Sequence, residues 1–341
     1  MDEICFVLEN GRITNDMEIV TLKKEHLWEA GQLAHENYQE ELSKVGALPE
    51  VKRFPDLSWF TENALGVAAL AGSRLLGFIA CCNPWDGAFD SKARGTFTPV
   101  HAHGCVRENR ARIYEKMYQS MADNLVKQGV LYHGIALYAH DVEAITAYFH
   151  NGFGHRCSDA MRRMEIIPGI TPTEGIVFEE LPAGEARQVR KLRRQLKNHM
   201  GESCCFMCTS EEEFEVWVQK RENNGNRIFV AKEKKEGVEG EQLPFAFLEI
   251  CDEAETFVTE LTPVKNICGA FCMPEYRGRQ IYQNLINYAV EVLKTEGYQY
   301  LGVDYESFNP TAQHFWPKYF EPYTCSVVRR IDECAGKKYE K

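Results

Sequence analysis

Two hydrophobic periods alternate along this chain. Apolar residues recur at helical spacing in Lys23–Leu42, where Leu27, Ala30, Leu33 and Ala34 share a face, and in Trp59–Leu65, Ile113–Lys127 and Asp141–Asn151. Gly129 and Gly152 close the last two of these helices. Apolar runs with the shorter period predict strands at Glu18–Leu22, Thr96–Val106, Tyr132–Ala139 and Cys157–Ile166. Val67–Leu70 and Leu75–Cys82, joined through Gly72-Ser73, read as an antiparallel hairpin.

The same order then begins again. Strands are expected at Ile176–Leu181, Arg227–Lys232, Phe245–Ile250, Asn266–Cys272, Tyr300–Tyr305 and Cys325–Ile331. Helices are expected at Glu185–His199, Glu211–Gln219, Ile281–Lys294 and Pro310–Tyr319. The two halves align in detail. Arg110 pairs with Arg277, Phe153 with Phe320, and Arg162-Arg163 with Arg329-Arg330, each at an offset of 167 positions. Tyr114 with Tyr282 and Gly129 with Gly297 sit at 168. One residue is inserted in the second copy inside a loop near 278, and one is lost before Phe320. The chain reads as one α/β fold written twice: residues 1–167, a linker at 168–173, and residues 174–341. Each copy is expected to be a mixed, mostly antiparallel twisted sheet flanked by helices.

The stretch from Cys272 to Leu285 carries the clearest chemistry. An apolar strand runs into a short basic loop, Pro274-Glu275-Tyr276-Arg277-Gly278-Arg279-Gln280, and then into a helix with Ile281, Leu285, Ile286, Ala289 and Leu293 on one face. First-turn N–H groups have no intrahelical partner, and the helix dipole places positive charge at that end. Arg277 and Arg279 add full charges, so a phosphate or pyrophosphate suits the site.

This segment resembles motif A of the GNAT-type N-acetyltransferases, whose V-x-P-x-Y-R-G-x-G-x-G-like loop cradles the pyrophosphate of acetyl-CoA. Pro274, Tyr276, Arg277 and Gly278 match. Gln280 stands where the family has the first motif Gly, and Tyr282 where it has the second Gly or Ala. The resemblance implies acetyl-CoA as co-substrate, held by Ala270, Phe271, Cys272, Arg277, Gly278, Arg279, Gln280, Ile281, Tyr282 and Gln283. Downstream, Asn309 matches the family Asn beside the thiol end, and Phe315 or Trp316 stands where a thiolate-protonating Tyr is expected. Tyr319, Tyr305 or Tyr282 are the available substitutes. A strand N–H at Ala270 to Cys272 would polarise the thioester carbonyl. Asp304 aligns with a position where some members carry a catalytic Glu. Asp304 and Glu306 alternate with Tyr305, so the two share a sheet face as candidate bases. The Cys272 thiol is a lesser candidate, for covalent catalysis.

The first copy lacks the device. Glu108 to Ile113 contains no Gly, and without it the turn is expected to be hard to make. Tyr148 lies in a family-like A-x-x-x-Y-x-x-x-G-F ending, where a packed aromatic is the simpler role. The first half is therefore expected to be degenerate. His101 and His103, two apart on an expected strand, share a face and with His133 or His140 would suffice for zinc; strand histidines more often pack or line a pocket, and no metal is expected.

Composition narrows the partners. The chain has 341 residues, 44% hydrophobic and 26% charged, with a net charge of −11. That length suits two domains, and that charge argues against a nucleic-acid binder. No apolar run is long enough to span a bilayer. Thirteen scattered cysteines with no signal peptide are expected to be reduced, mostly buried thiols of a cytoplasmic protein. A small-molecule amine acceptor and a monomer or homodimer are expected. The alternative reading is a non-catalytic acyl-CoA-binding or ligand-sensing module.

Overall fold

The computed structural model describes residues 17–52, 54–202, 204–234, 242–252, 256–258 and 263–337. Its packing divides into two compact units. One draws on the chain up to Lys44, on Lys52–Arg156 and on residues from Thr324 onward; the other on Val45–Val51 and Cys157–Tyr323.

The first unit contains β1 (Met17–Thr21), α1 (Leu27–Leu42), β2 (Val67–Ala71), β3 (Arg74–Ile79), β4 (Gly95–Thr98), β5 (His103–Cys105), α2 (Arg110–Lys127), β6 (Tyr132–Tyr138) and α3 (Val142–His150). Strands β1, β2, β3 and β5 form one antiparallel sheet. β4 pairs with β6 in parallel. The helices expected over Lys23–Leu42 and Trp59–Leu65 are shorter: a 3-10 turn precedes α1, and only Ser58–Thr61 coils, also as 3-10. The single strand expected over Thr96–Val106 is two strands, broken between Thr98 and His103. Pro99 falls in that break, where it has no N–H to give a ladder. His101 therefore leaves the strand and does not share a strand face with His103.

The second unit takes in β7 (Gly154–Arg163), β8 (Ile176–Glu180), α4 (Arg190–Gly201), α5 (Glu211–Asn223), β9 (Arg227–Glu233), β10 (Ala246–Cys251), β11 (Val264–Cys272), α6 (Ile281–Thr295), β12 (Tyr300–Glu306), α7 (Pro310–Phe315) and β13 (Glu321–Pro322). Its sheet runs β7-β12-β11-β10-β9-β8, with β13 on β7. Only β11 with β12 is parallel. One face is covered by α6, which buries Ile281, Leu285, Ile286, Val290 and Leu293 against Phe229, Leu248, Ile267 and Val303. Each such side chain contributes about 1.5–3 kcal/mol relative to exposure. The other face carries Ile228, Val230, Phe247 and Phe271 against Val189 and Leu192 at the start of α4.

The closing strands are exchanged. The last strand, β14 (Thr324–Arg330), pairs antiparallel with β6 in the first unit, from Tyr132↔Arg330 to Tyr138↔Thr324. β7 pairs antiparallel with β12 in the second, from Tyr300↔Arg163 to Glu306↔Cys157. At the repeat offset these are one ladder, each with the other half's strand. Segment 168–173 is held to α6: Thr171 N–H donates to Gln280 Oε1 at 3.2 Å, and Asn284 Nδ2 donates to Thr171 O at 2.9 Å.

Gly302 of β12 is fixed by space. A Cβ there would lie 2.6 Å from Asn266 Oδ1. Gly302→Ala is expected to cost about 1–3 kcal/mol, read as a lower midpoint in thermal denaturation.

Of the twelve described cysteines, Cys81, Cys105, Cys272 and Cys325 are buried, and Cys204, Cys208 and Cys334 are exposed. The expectation of mostly buried thiols is corrected. Cys204, Cys205 and Cys208 follow α4, where their thiols donate to the carbonyls of Phe308 and Gly201.

Candidate functional site

β11 and β12 run side by side only from Val264↔Tyr300 to Ile267↔Val303. Both continue, to Cys272 and Glu306, without pairing to each other. β11 instead follows β10, through a bulge between Glu249 and Ile250. The result is a gap between Cys268–Cys272 and Asp304–Glu306. Met273 N–H bonds Phe245 O at 3.0 Å. By antiparallel alternation, Phe271 then bonds Phe247, and the N–H groups of Ala270 and Cys272 face the gap.

The loop that follows makes its turn with two left-handed residues, Gly278 (φ 75°) and Gln280 (φ 57°). Open space surrounds Gly278, so its glycine serves conformation alone. The first unit makes the equivalent turn with Asn109 (φ 56°). The expectation that a loop without Gly resists this turn is thus corrected: Asn tolerates the left-handed region.

The side chains near the loop are partly committed. Arg277 Nε donates to Cys272 O at 2.9 Å, and its guanidinium lies over Phe271. Arg279 lies over Tyr276 and is exposed. Ile281 is core. Tyr282 donates from its hydroxyl to Phe247 O at 3.0 Å and packs edge-on against Phe315 and Trp316. Burial holds its phenol well above the ordinary range. Gln283 Nε2 donates to Tyr319 Oη at 2.9 Å, leaving the Tyr319 proton available. Phe315 also packs on Tyr319. Asn309 caps α7: its Oδ1 accepts from Thr311 N–H at 3.2 Å and from Thr311 Oγ1 at 2.8 Å. His199 Nε2 lies 3.2 Å from the same oxygen.

Val303 and Tyr305 point to the α6 face. Asp304 and Glu306 therefore point to the α4 and α5 face. Asp304 Oδ1 accepts from Asn266 Nδ2 at 2.9 Å, and burial pushes its carboxyl above the usual range. On this face lies a group that periodicity did not reveal. Glu249 accepts from Arg193 Nη2 at 2.9 Å, Arg221 Nη1 at 3.2 Å and Asn226 Nδ2 at 2.8 Å. Arg193 is fully buried. Arg221 also donates to Cys268 O and Sγ at the bulge. The available signal was a lone carboxylate inside the apolar run Phe245–Ile250.

The corresponding place in the first unit is filled from within. Arg110 is buried and bonds Glu40 at 2.8 Å, Asp141 at 3.0 Å and Cys105 O at 3.0 Å. Asn37 Oδ1 takes the Cys105 N–H at 2.9 Å, and Asn37 Nδ2 donates back to Cys105 O at 3.0 Å. Cys105 is the counterpart of Cys272. Tyr148 is buried against Tyr114, Tyr118 and Phe153. His103 bonds Tyr114 Oη and Ala136 O, His133 bonds Tyr118 Oη and Val130 O, and His140 bonds Glu41. Burial lowers both His103 and His133 to about 4, so they are neutral.

Residues 195–320 match the family model described as Acetyltransferase (GNAT) family. No curated protein sequence matches the chain. Among solved structures, a GCN5-related N-acetyltransferase from Sphaerobacter thermophilus is 12% identical, with 94% of this chain and 97% of that chain covered and a TM-score of 0.52. A GCN5-related glucosamine N-acetyltransferase region of a fungal multi-domain GH3 β-N-acetylglucosaminidase is 10% identical, covers 92% of this chain and 38% of that one, and has a TM-score of 0.51. Residues 195–320 are thus similar to the acetyltransferase (GNAT) family, and the chain carries the fold of the GCN5-related N-acetyltransferases.

Proposed function

We propose that the second unit transfers an acetyl group from acetyl-CoA to a primary amine of a small acceptor. The unpaired ends of β11 and β12 carry this reading. A gap faced by strand N–H groups, beside a left-handed basic loop at a helix start, fits a thioester and its pyrophosphate. The amine nitrogen bonds to the thioester carbonyl carbon, the C–S bond breaks, and the ammonium proton is lost. Asp304, with Glu306 behind it, takes that proton directly or through water. The N–H groups of Ala270 and Cys272 stabilise the developing oxyanion. Tyr319, held by Gln283, supplies the proton to the thiolate. Positioning supplies most of the rate gain.

In the first unit two carboxylates already neutralise Arg110, and Asn37 occupies the strand N–H. That supports a degenerate first half. Replacing Arg277 and Arg279 together by Ala is expected to raise the Kd for acetyl-CoA by about 10- to 100-fold in calorimetry. Unchanged affinity and activity would move the working site to the first unit.

A second reading, a non-catalytic acyl-CoA sensor, draws on Tyr282, whose ring and hydroxyl fill a place where family loops carry a small residue. Calorimetry with acetyl-CoA followed by CoA-release assays on an amine panel separates the two. Binding without turnover on any amine favours the sensor, and no binding sinks both.

A further inference from the structure

The second unit has a second concavity, one to which neither β11 nor β12 contributes a lining residue. It is an open cleft of about 330 Å³ between the end of β7 and the segment joining α7 to β13. That volume lies within the range of small-ligand sites. Its charged lining is Arg162, Arg163 and Lys318, with Glu165 and Glu321. Among the described residues, none of the three cations has a carboxylate within ion-pair distance. Arg162 donates only to backbone carbonyls, from Nη2 to Glu165 O at 2.6 Å and from Nε to Arg163 O at 3.4 Å. Its Nη1 is shielded from solvent and has no acceptor. Its guanidinium sits over the Phe320 ring, 5.5 Å from the centroid. Arg163 donates to Gly46 O at 3.2 Å and lies over Tyr300.

This pattern differs from that of the unit's other buried or half-buried arginines. Arg193, Arg221 and Arg227 each have carboxylate partners. A half-buried guanidinium without one carries a desolvation cost that a carboxylate would offset, and burial lowers the pKa of Arg162 accordingly. Two guanidinium forks and an ammonium match a dianion better than a monoanion, and the fork geometry suits phosphate oxygens. Tyr319, which is half-buried, lines the same cleft, giving an organic body something to lie against.

We propose that this cleft binds a phosphate monoester, with Arg162, Arg163 and Lys318 holding the phosphate. Two sources share that chemistry. One is a separate phosphorylated small molecule. The other is the 3′-phosphate of CoA; this second source rests on the acyl-CoA reading above, and the test separates it from the first.

The test uses the full chain and the variant Arg163→Gln/Lys318→Gln. Both side chains are exposed, so the fold is expected to persist, which circular dichroism checks. Titrations with 3′-AMP and inorganic phosphate are followed by calorimetry, alongside CoA and dephospho-CoA. The proposal expects 3′-AMP to bind the native chain and its Kd to rise at least about tenfold in the variant. If CoA also binds about tenfold tighter than dephospho-CoA, and the variant abolishes that difference, the phosphate is CoA's own. If CoA and dephospho-CoA bind alike while 3′-AMP remains variant-sensitive, the ligand is a separate molecule. If neither CoA nor dephospho-CoA binds, the acyl-CoA reading fails and the phosphate result stands by itself. The proposal is overturned if 3′-AMP and phosphate show no binding and CoA equals dephospho-CoA, or if all affinities survive in the variant.

Discussion

Asp304→Asn is expected to lower kcat for acetyl transfer by about 10²- to 10⁴-fold while leaving acetyl-CoA affinity nearly unchanged. The amide keeps the shape of the side chain and can still accept from Asn266 Nδ2, so a loss of rate would report proton transfer rather than a collapsed strand. The pH dependence sharpens the test. Burial raises the Asp304 pKa above the ordinary carboxylate value. The base works ionised, so kcat/KM falls as pH drops through that raised value, and the Asn variant loses this acidic limb. Stability moves the other way. A carboxyl raised in the folded state contributes stability that is present in full below its unfolded pKa and is lost as pH rises through the folded one. Native activity and the Asp304 share of stability should therefore change in opposite directions on titration, and both dependences should vanish together in Asp304→Asn. An unchanged kcat would remove Asp304 as the base and leave Glu306→Gln as the variant to measure.

Strand and helix placement in the second unit was legible because its elements bury one clean face each. Ile281, Leu285, Ile286 and Leu293 keep helical spacing and meet the sheet as that spacing requires. The loop after β11 was legible from Pro274 to Gly278, and a left-handed turn does follow. What escaped depended on pairing at long range. Nothing local in Thr96–Val106 says that its two ends join different neighbours; Pro99 was the one hint. The exchange of β7 and β14 is invisible to periodicity, since either pairing buries the same faces in the same register. Asn109 shows a limit of composition, because a turn was judged by its lack of glycine when Asn serves at about the same place. Arg193 was hidden for a physical reason too. A guanidinium inside a helix reads as solvated until Glu249, 56 positions along the chain, is known to meet it.

That buried contact carries the largest expected effect on stability. Glu249→Leu removes the carboxylate between Arg193 and Arg221 and leaves a fully buried cation with no anion beside it. Breaking a buried pair from one side costs about 3–5 kcal/mol, which for a unit of this size lowers its unfolding midpoint by about 6–20 °C. Arg193→Met/Glu249→Leu should recover most of that loss, because an apolar pair of similar volume needs no compensation. Differential scanning calorimetry on the three proteins decides it: a single variant within about 1 kcal/mol of the native chain would show that the triad is not coupled as the distances imply. The single variant should also weaken acetyl-CoA binding more than its stability loss explains. Arg221 grips the carbonyl and thiol of Cys268 at the bulge in β11, and that bulge marks where β11 parts from β12. With Glu249 gone, Arg221 loses the carboxylate that orients it, and the gap between the two strands loses the clamp that holds it open.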